Sequence, residues 1–251
     1  MEAYAVTAGV EYAIEMEGLT RRFGDFTAVD SMTLRIPRGC LYGFLGLNGA
    51  GKTTTIRMLT TLLPPSAGKA KLWGHDVAAD PLAVRGFVGL VSDETSESQS
   101  AWTAREYLGY FARVRQLEDA AAQVERLLDD VGLDTRFRGR VMGTYSTGMK
   151  RRVEIARALM GEPKVLFLDE PTRGLDLPAK RDMWKLLHRL AERENDTIFL
   201  SSHDAHEIRS LCDNISVIAK GRLVYSGATS ELGGDLDQFE DRLIELLVQG
   251  R

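Results

Sequence analysis

Gly46-Leu47-Asn48-Gly49-Ala50-Gly51-Lys52-Thr53-Thr54 is the stretch whose reading decides the fold of this chain. It fits the pattern G-x-x-x-x-G-K-S/T. The residues before it, 40–45, form a short apolar run, and those after it, 52–62, have helical spacing. A strand, a glycine-rich turn and a helix in that order make a phosphate cradle. Glycines let successive backbone N–H groups converge on phosphate oxygens, and the helix N-terminus behind them favours negative charge. Lys52 is placed to neutralise the β- and γ-phosphates, and the Thr53 hydroxyl to ligate Mg²⁺. A glycine-rich turn that matched by accident would lack the flanking strand and helix. The loop alone leaves the nucleotide and the reaction open.

On the N-terminal side, residues 12–36 alternate and carry β-branched and aromatic side chains, broken by Phe23-Gly24-Asp25. This pattern predicts antiparallel strands. On the C-terminal side, Pro64-Pro65 is expected to stop the helix. Further strands are expected at 69–73 and 87–91, with a loop containing Gly74 and Pro81 between them. From about Ser92 to Met160 the reading is a mostly helical insertion. Thr103 and Glu106 form a capping box, and Val124, Leu127, Leu128 and Val131 share one helical face. Residues 165–168 are a continuous apolar run, as in a strand buried on both faces. A helix opening at Pro178, a strand at 197–200, a short helix at 205–211 and a hairpin turning at Lys220-Gly221 follow. The tail, 236–248, reads as one amphipathic helix. Strands alternating with helices imply an α/β core with a mainly parallel sheet.

Composition narrows the function without choosing it. The chain has 251 residues and a formal net charge of −4, with no electrostatic footprint for nucleic acid. No polybasic run points to an anionic membrane surface, and Lys150-Arg151-Arg152 is expected on a solvated helix face. Cys40 and Cys212 fit neither a zinc spacing nor a CxxC pair, so they read as reduced thiols in or near the core. Residues 1–11 look like a loose leader without a signal-peptide pattern. No apolar run is long enough to span a bilayer. The expectation is a soluble chain that acts at a membrane only through a partner.

The apolar run at 165–168 ends in Asp169-Glu170. Asp169 is expected on the metal side of the phosphates. Glu170 is expected where a carboxylate can polarise an attacking water. Upstream, Tyr145-Ser146-Thr147-Gly148-Met149-Lys150 precedes a helix and resembles the signature sequence of ABC-type ATPases. Arg173-Gly174-Leu175-Asp176 resembles that family's D-loop, Ser201-Ser202-His203 its switch histidine, and Arg22-Phe23-Gly24 its adenine-stacking loop. The ordered motifs cover most of the chain, from about Tyr12 to Gly227.

The resemblance implies a P-loop NTPase core with a mainly parallel sheet, an N-terminal antiparallel β subdomain and an inserted helical subdomain. The whole chain, 1–251, then reads as one ATPase domain. Residues 12–91 and 161–227 form the core with its β subdomain, 92–160 the helical subdomain, and 228–251 a C-terminal helix. It further implies MgATP. Phe23, Gly46, Asn48, Gly49, Ala50, Gly51, Lys52, Thr53 and Thr54 belong to one face of the nucleotide, and Ser146, Thr147 and Gly148 to the γ-phosphate held by an opposite subunit. Thr53 and Asp169 serve the metal, and Glu170, His203 and Asp176 serve hydrolysis. His75, His188 and His206 have no such setting and read as surface or packing residues.

Three departures from the family pattern stand out. Thr147 replaces the usual first glycine of the signature, and a β-branched residue there calls for ordinary φ. Phe23 keeps ring stacking but has no hydroxyl. Asp93 stands where a glutamine usually touches Mg²⁺ or water, with a plain surface loop as its other reading and Gln99 as a more distant candidate. The resemblance is greatest to ATPases of ABC-2-type exporters, peripheral at the cytoplasmic face of the cell membrane. It implies a membrane-spanning permease and a second ATPase subunit, identical or not. The alternatives are a soluble ABC ATPase of an assembly system, such as iron–sulfur cluster biogenesis, and a nucleotide sensor that hydrolyses little.

Overall fold

The computed structural model describes residues 12–92, 99–192 and 196–249. Two sheets share the chain. The first is antiparallel, with β1 (Tyr12–Phe23), β2 (Phe26–Pro37), β4 (Ala67–Leu72) and the short β5 (His75–Asp76) in the order β2-β1-β4-β5. The second holds β3 (Leu41–Gly46), β6 (Val88–Val91), β7 (Val165–Asp169), β8 (Thr197–Ser202), β9 (Asn214–Ala219) and β10 (Arg222–Ala228). Its order is β10-β9-β3-β8-β7-β6, parallel throughout except for the β9–β10 hairpin. Helices are α1 (Lys52–Leu59), α2 (Pro81–Gly86), α3 (Ala104–Val114), α4 (Ala120–Asp130), α5 (Thr135–Arg138), α6 (Thr147–Leu159), α7 (Leu177–Ala191), α8 (Ala205–Leu211) and α9 (Leu236–Gln249).

The parallel sheet separates two cores, and the period of two along each strand sorts residues between them. Tyr42, Phe44, Val165, Phe167 and Phe199 face a core shared with α1 and the antiparallel sheet. Leu41, Leu45, Leu166, Leu168, Ile198 and Leu200 face a second core, shared with α3, α4, α6, α7, α8 and α9. This two-sided burial explains the unbroken apolar run at 165–168, since neither face of β7 meets water. Phe199 sits at the centre, its ring 5.0 Å from that of Phe44 and 5.3 Å from that of Phe167. The Thr103 capping box forms in both directions and starts α3. Met183, Leu186, Leu187 and Leu190 form the buried face of α7.

The structure corrects three expectations. Helix α1 ends at Leu59, before Leu62: Thr61 turns to φ 63°, and the N–H groups of Leu62 and Leu63 both return to Arg57 O. The chain is thus turned by a local cap before the prolines act. Helix α2 lies where a loop was expected; six residues behind Asp80 are too few to show a helical period. Lys150-Arg151-Arg152 is not a solvated face. Arg151 is buried and donates to Ser92 O at 2.8 Å, and Arg152 donates to Val131 O. Both cysteines are free, Cys40 half-buried and Cys212 buried. No helix among the described residues is long and apolar enough to cross a membrane.

Candidate functional site

β3, β8 and β7 are neighbours, so the segments leaving their C-terminal ends meet. This is the edge at which parallel α/β sheets gather their ligand-binding loops. From β3 the chain passes Gly46, where a Cβ would lie 2.7 Å from Ile218 O of β9. Only glycine allows that approach. Gly51 has φ 108°, and a Cβ there would lie 2.6 Å from Ala28 O, so β2 of the antiparallel sheet walls the loop. Gly51 is also the N-cap of α1 and makes no side-chain cap. The first N–H groups of that helix are therefore left to a ligand, as anion sites at helix N-termini require. The Ala50 N–H is already used, donating to Leu47 O at 3.1 Å.

Lys52 is buried, and its ammonium donates to Gly46 O at 2.7 Å and Leu47 O at 3.3 Å. It also lies 3.0 Å from Glu170 Oε1. The other carboxylate oxygen, Glu170 Oε2, is 2.6 Å from His203 Nδ1. Glu170 thus stands between a cation from the phosphate loop and an imidazole from the end of β8. Its backbone is at φ 52°, a left-handed geometry that costs a residue with a Cβ about 1–3 kcal/mol. The Glu170 N–H reaches Ser201 O and Ser201 Oγ, each at 3.2 Å, which holds that turn.

Asp169, the last residue of β7, is 2% exposed and fully engaged. Thr53 Oγ1 donates to its Oδ2 at 2.7 Å, and Ser201 Oγ to its Oδ1 at 2.5 Å. The Thr53 hydroxyl and the Asp169 carboxylate are hard oxygen donors side by side. Such a set suits Mg²⁺, which accepts one or two protein oxygens and fills its octahedron with water and phosphate. The residues present fit the metal.

The other described residues expected at the site sit on other elements. Phe23 ends β1, 46% exposed, with the Arg21 guanidinium 4.6 Å from its ring centroid. Ser146 is the N-cap of α6 and accepts from Met149 N, while Thr147 opens that helix in ordinary helical geometry. Gly148 lies beside Leu175 and Ala179 of its own chain. Asp176 is the N-cap of α7 and accepts from Ala179 N at 2.9 Å. Asp93 lies outside the described residues. Two residues were given no role by the sequence reading. Ser201, quoted only as part of the switch-histidine motif, contacts both Asp169 and Glu170. Glu207, on α8, is buried among Ser202, Thr172 and Trp184. No spacing rule marks either, because their partners are joined only through the sheet.

A family model described as ABC transporter matches residues 29–173. The daunorubicin/doxorubicin resistance ATP-binding protein DrrA of Streptomyces peucetius is 39% identical over 226 residues, covering 89% of this chain and 68% of its own. The bacitracin transport ATP-binding protein BcrA of Bacillus licheniformis is 38% identical over 211 residues, covering 84% and 68%. A solved structure from Clostridium perfringens, cbiO1, described as part of the ABC transporter complex cbiONQ, superposes with a TM-score of 0.82 at 26% identity. It covers 95% of this chain and 97% of that one. The site and fold define a phosphate-loop ATPase. The chain belongs to the ABC transporter family, as a subunit that binds and hydrolyses ATP.

Proposed function

We propose that this chain is the motor of an exporter: two such ATPase subunits, identical or not, close on two ATP molecules and drive a separate membrane-spanning permease. The drug resistance named for DrrA and the bacitracin transport named for BcrA support export. In this reading the chain sits at the cytoplasmic face of the membrane through its permease. One observation carries the hydrolytic part. The Glu170 carboxylate lies at the mouth of the phosphate loop, 3.0 Å from Lys52 and 2.6 Å from His203.

Phe23 stacks on adenine, while the N–H groups of the loop from Gly46 to Thr54, that of Ala50 excepted, and the Lys52 ammonium hold the phosphates. Thr53 and Asp169 would hold Mg²⁺, which when bound neutralises phosphate charge. Glu170 accepts the proton of the attacking water, and His203 orients that water and the γ-phosphate. Ser146, Thr147 and Gly148 at the head of α6 bind the γ-phosphate of the facing subunit, so one chain owns two half-sites. Asp176, at the head of α7, acts across the same contact. Asp93 takes the place of the family's usual glutamine.

The test is Glu170→Gln. Turnover is expected to stop while ATP still binds, and size-exclusion chromatography should then show an ATP-dependent dimer. Undiminished hydrolysis would refute Glu170 as the base. Co-purification of a strongly hydrophobic membrane subunit is expected; a water-soluble assembly partner in its place would overturn the exporter reading. Asp93→Ala with unchanged Mg²⁺ dependence would remove Asp93 from the site.

A further inference from the structure

Glu207 lies on α8, four positions after His203, and is 1% exposed. Its partners are neutral donors. Thr172 Oγ1 reaches Oε1 at 2.7 Å, Trp184 Nε1 reaches the same oxygen at 3.2 Å, and Ser202 Oγ reaches Oε2 at 2.6 Å. Burying a carboxyl among neutral groups is costly. Burial pushes the Glu207 carboxyl above its ordinary value, although the bonds from Ser202, Thr172 and Trp184 pull it back in part.

What this burial joins is specific. The β7–β8 ladder ends at the pair Asp169–Ser201, with Glu170 N–H to Ser201 O as the last backbone link. Past that point the pairing of β7 with β8 stops. The segment after β7 carries Glu170 and Thr172; β8 runs on to Ser202, which still pairs with Leu45 of β3, and His203 follows. Backbone pairing no longer sets the distance between the two segments. The Glu207 carboxylate spans the gap through Thr172 on one side and Ser202 on the other. Trp184 ties the same carboxylate to α7. Ser202 Oγ accepts the Asp204 N–H at 3.0 Å, and Lys180 of α7 holds Asp204 at 2.9 Å, so the turn at His203 is fixed on both flanks.

We propose that Glu207 is a positioning residue for ATP hydrolysis, whose carboxylate clamps the exits of β7 and β8 so that His203 meets Glu170. It touches no reacting atom and acts through the two residues it aligns. The inference rests on the reading of Glu170 and His203 as the hydrolytic pair.

The experiment uses the full chain, assembled with its membrane subunit where turnover requires it. Steady-state hydrolysis is compared for wild type, Glu207→Ala, Glu207→Gln, His203→Ala and the double variant His203→Ala/Glu207→Ala. Glu207→Ala is expected to lower kcat about 10- to 100-fold, with KM for MgATP and affinity for ADP within about twofold. Glu207→Gln should recover most of the rate. Its amide oxygen still accepts from Thr172 and Trp184, and the Ser202 hydroxyl can rotate to accept from the amide nitrogen. In the His203→Ala background, Glu207→Ala should cost less than about a further twofold. Equal losses in both backgrounds, or a loss shared by ADP affinity, would overturn positioning in favour of a merely structural role. A wild-type kcat in Glu207→Ala would overturn it outright. Should Glu207→Ala fail to fold, Thr172→Val and Ser202→Ala remove the two clamp donors singly, and the same cycle with His203→Ala decides. Glu170→Gln is measured alongside: full turnover there overturns the hydrolytic pair and the clamp with it. Lost turnover there beside a normal Glu207→Ala overturns the clamp alone.

Discussion

Lys52 is buried and has three oxygen neighbours: two carbonyls of its own loop and the Glu170 carboxylate. A compact ammonium on a flexible stem fits between such acceptors, whereas a planar guanidinium does not. Lys52→Arg and Lys52→Met are therefore both expected to weaken ATP binding by at least about tenfold, read by titration with a fluorescent ATP analogue. An arginine variant that binds as wild type would argue against the cradle as described. The cysteines make a different residue-scale prediction. Burial, with Asp213 nearby, pushes the Cys40 thiol up to about 11, and burial raises that of Cys212 well above its ordinary value. At pH 8 the Cys40 thiolate fraction is about a hundredfold below that of an ordinary thiol. Alkylation followed by mass spectrometry should leave the native chain unlabelled over times that fully label the unfolded one. Cys40 should label progressively faster as pH approaches 11.

At the scale of elements, helix starts are set by side chains that the sequence displays openly. Thr103 Oγ1 accepts the Glu106 N–H, and the Glu106 carboxylate accepts the Thr103 N–H at 2.8 Å. Thr103→Ala should destabilise the chain by about 1 kcal/mol. In a domain of this size that is a fall of about 2–4 °C in Tm by calorimetry. The N–H and hydroxyl of Thr103 hold the Glu106 carboxyl below its ordinary value of 4.5. A lowered folded value means that this contribution is complete above 4.5 and is lost as pH falls through the folded value. The effect of Glu106→Ala should accordingly shrink in acid; a Tm difference independent of pH would count against the reciprocal box. α1 shows the opposite case. Its N-cap, Gly51, makes no side-chain cap. A helix left open at this end is where a ligand's phosphates can complete the capping.

At the scale of the molecule, the parallel sheet is a partition with a core on each side, and Phe199 packs at the centre of one of them against Phe44 and Phe167. Phe199→Ala should cost about 3–5 kcal/mol. In urea the unfolding midpoint should move down with little change in slope, since the surface exposed on unfolding is nearly the same. Much of this architecture was legible beforehand. Alternation at 12–36, the apolar run at 165–168 and the helical face of Met183, Leu186, Leu187 and Leu190 are local patterns whose period reveals which face is buried. The phosphate loop is legible for the same reason, because every group in it lies within nine consecutive residues. Helix α2 was not, being too short to display a period, and the end of α1 was misplaced because Thr61 adopts a geometry that its residue type does not advertise. The sequence by itself determined the class of fold, the cradle, and the presence of Asp169, Glu170 and His203 at strand ends. Only the tertiary structure decided that Arg151 is buried against Ser92, that Ser201 braces both acids, and that Glu207 bridges Thr172 and Ser202. Those contacts join residues about thirty or more positions apart, except for the five-residue step from Ser202 to Glu207. They exist because the sheet order places β7 beside β8 and α6 beside β6, which a one-dimensional pattern does not encode.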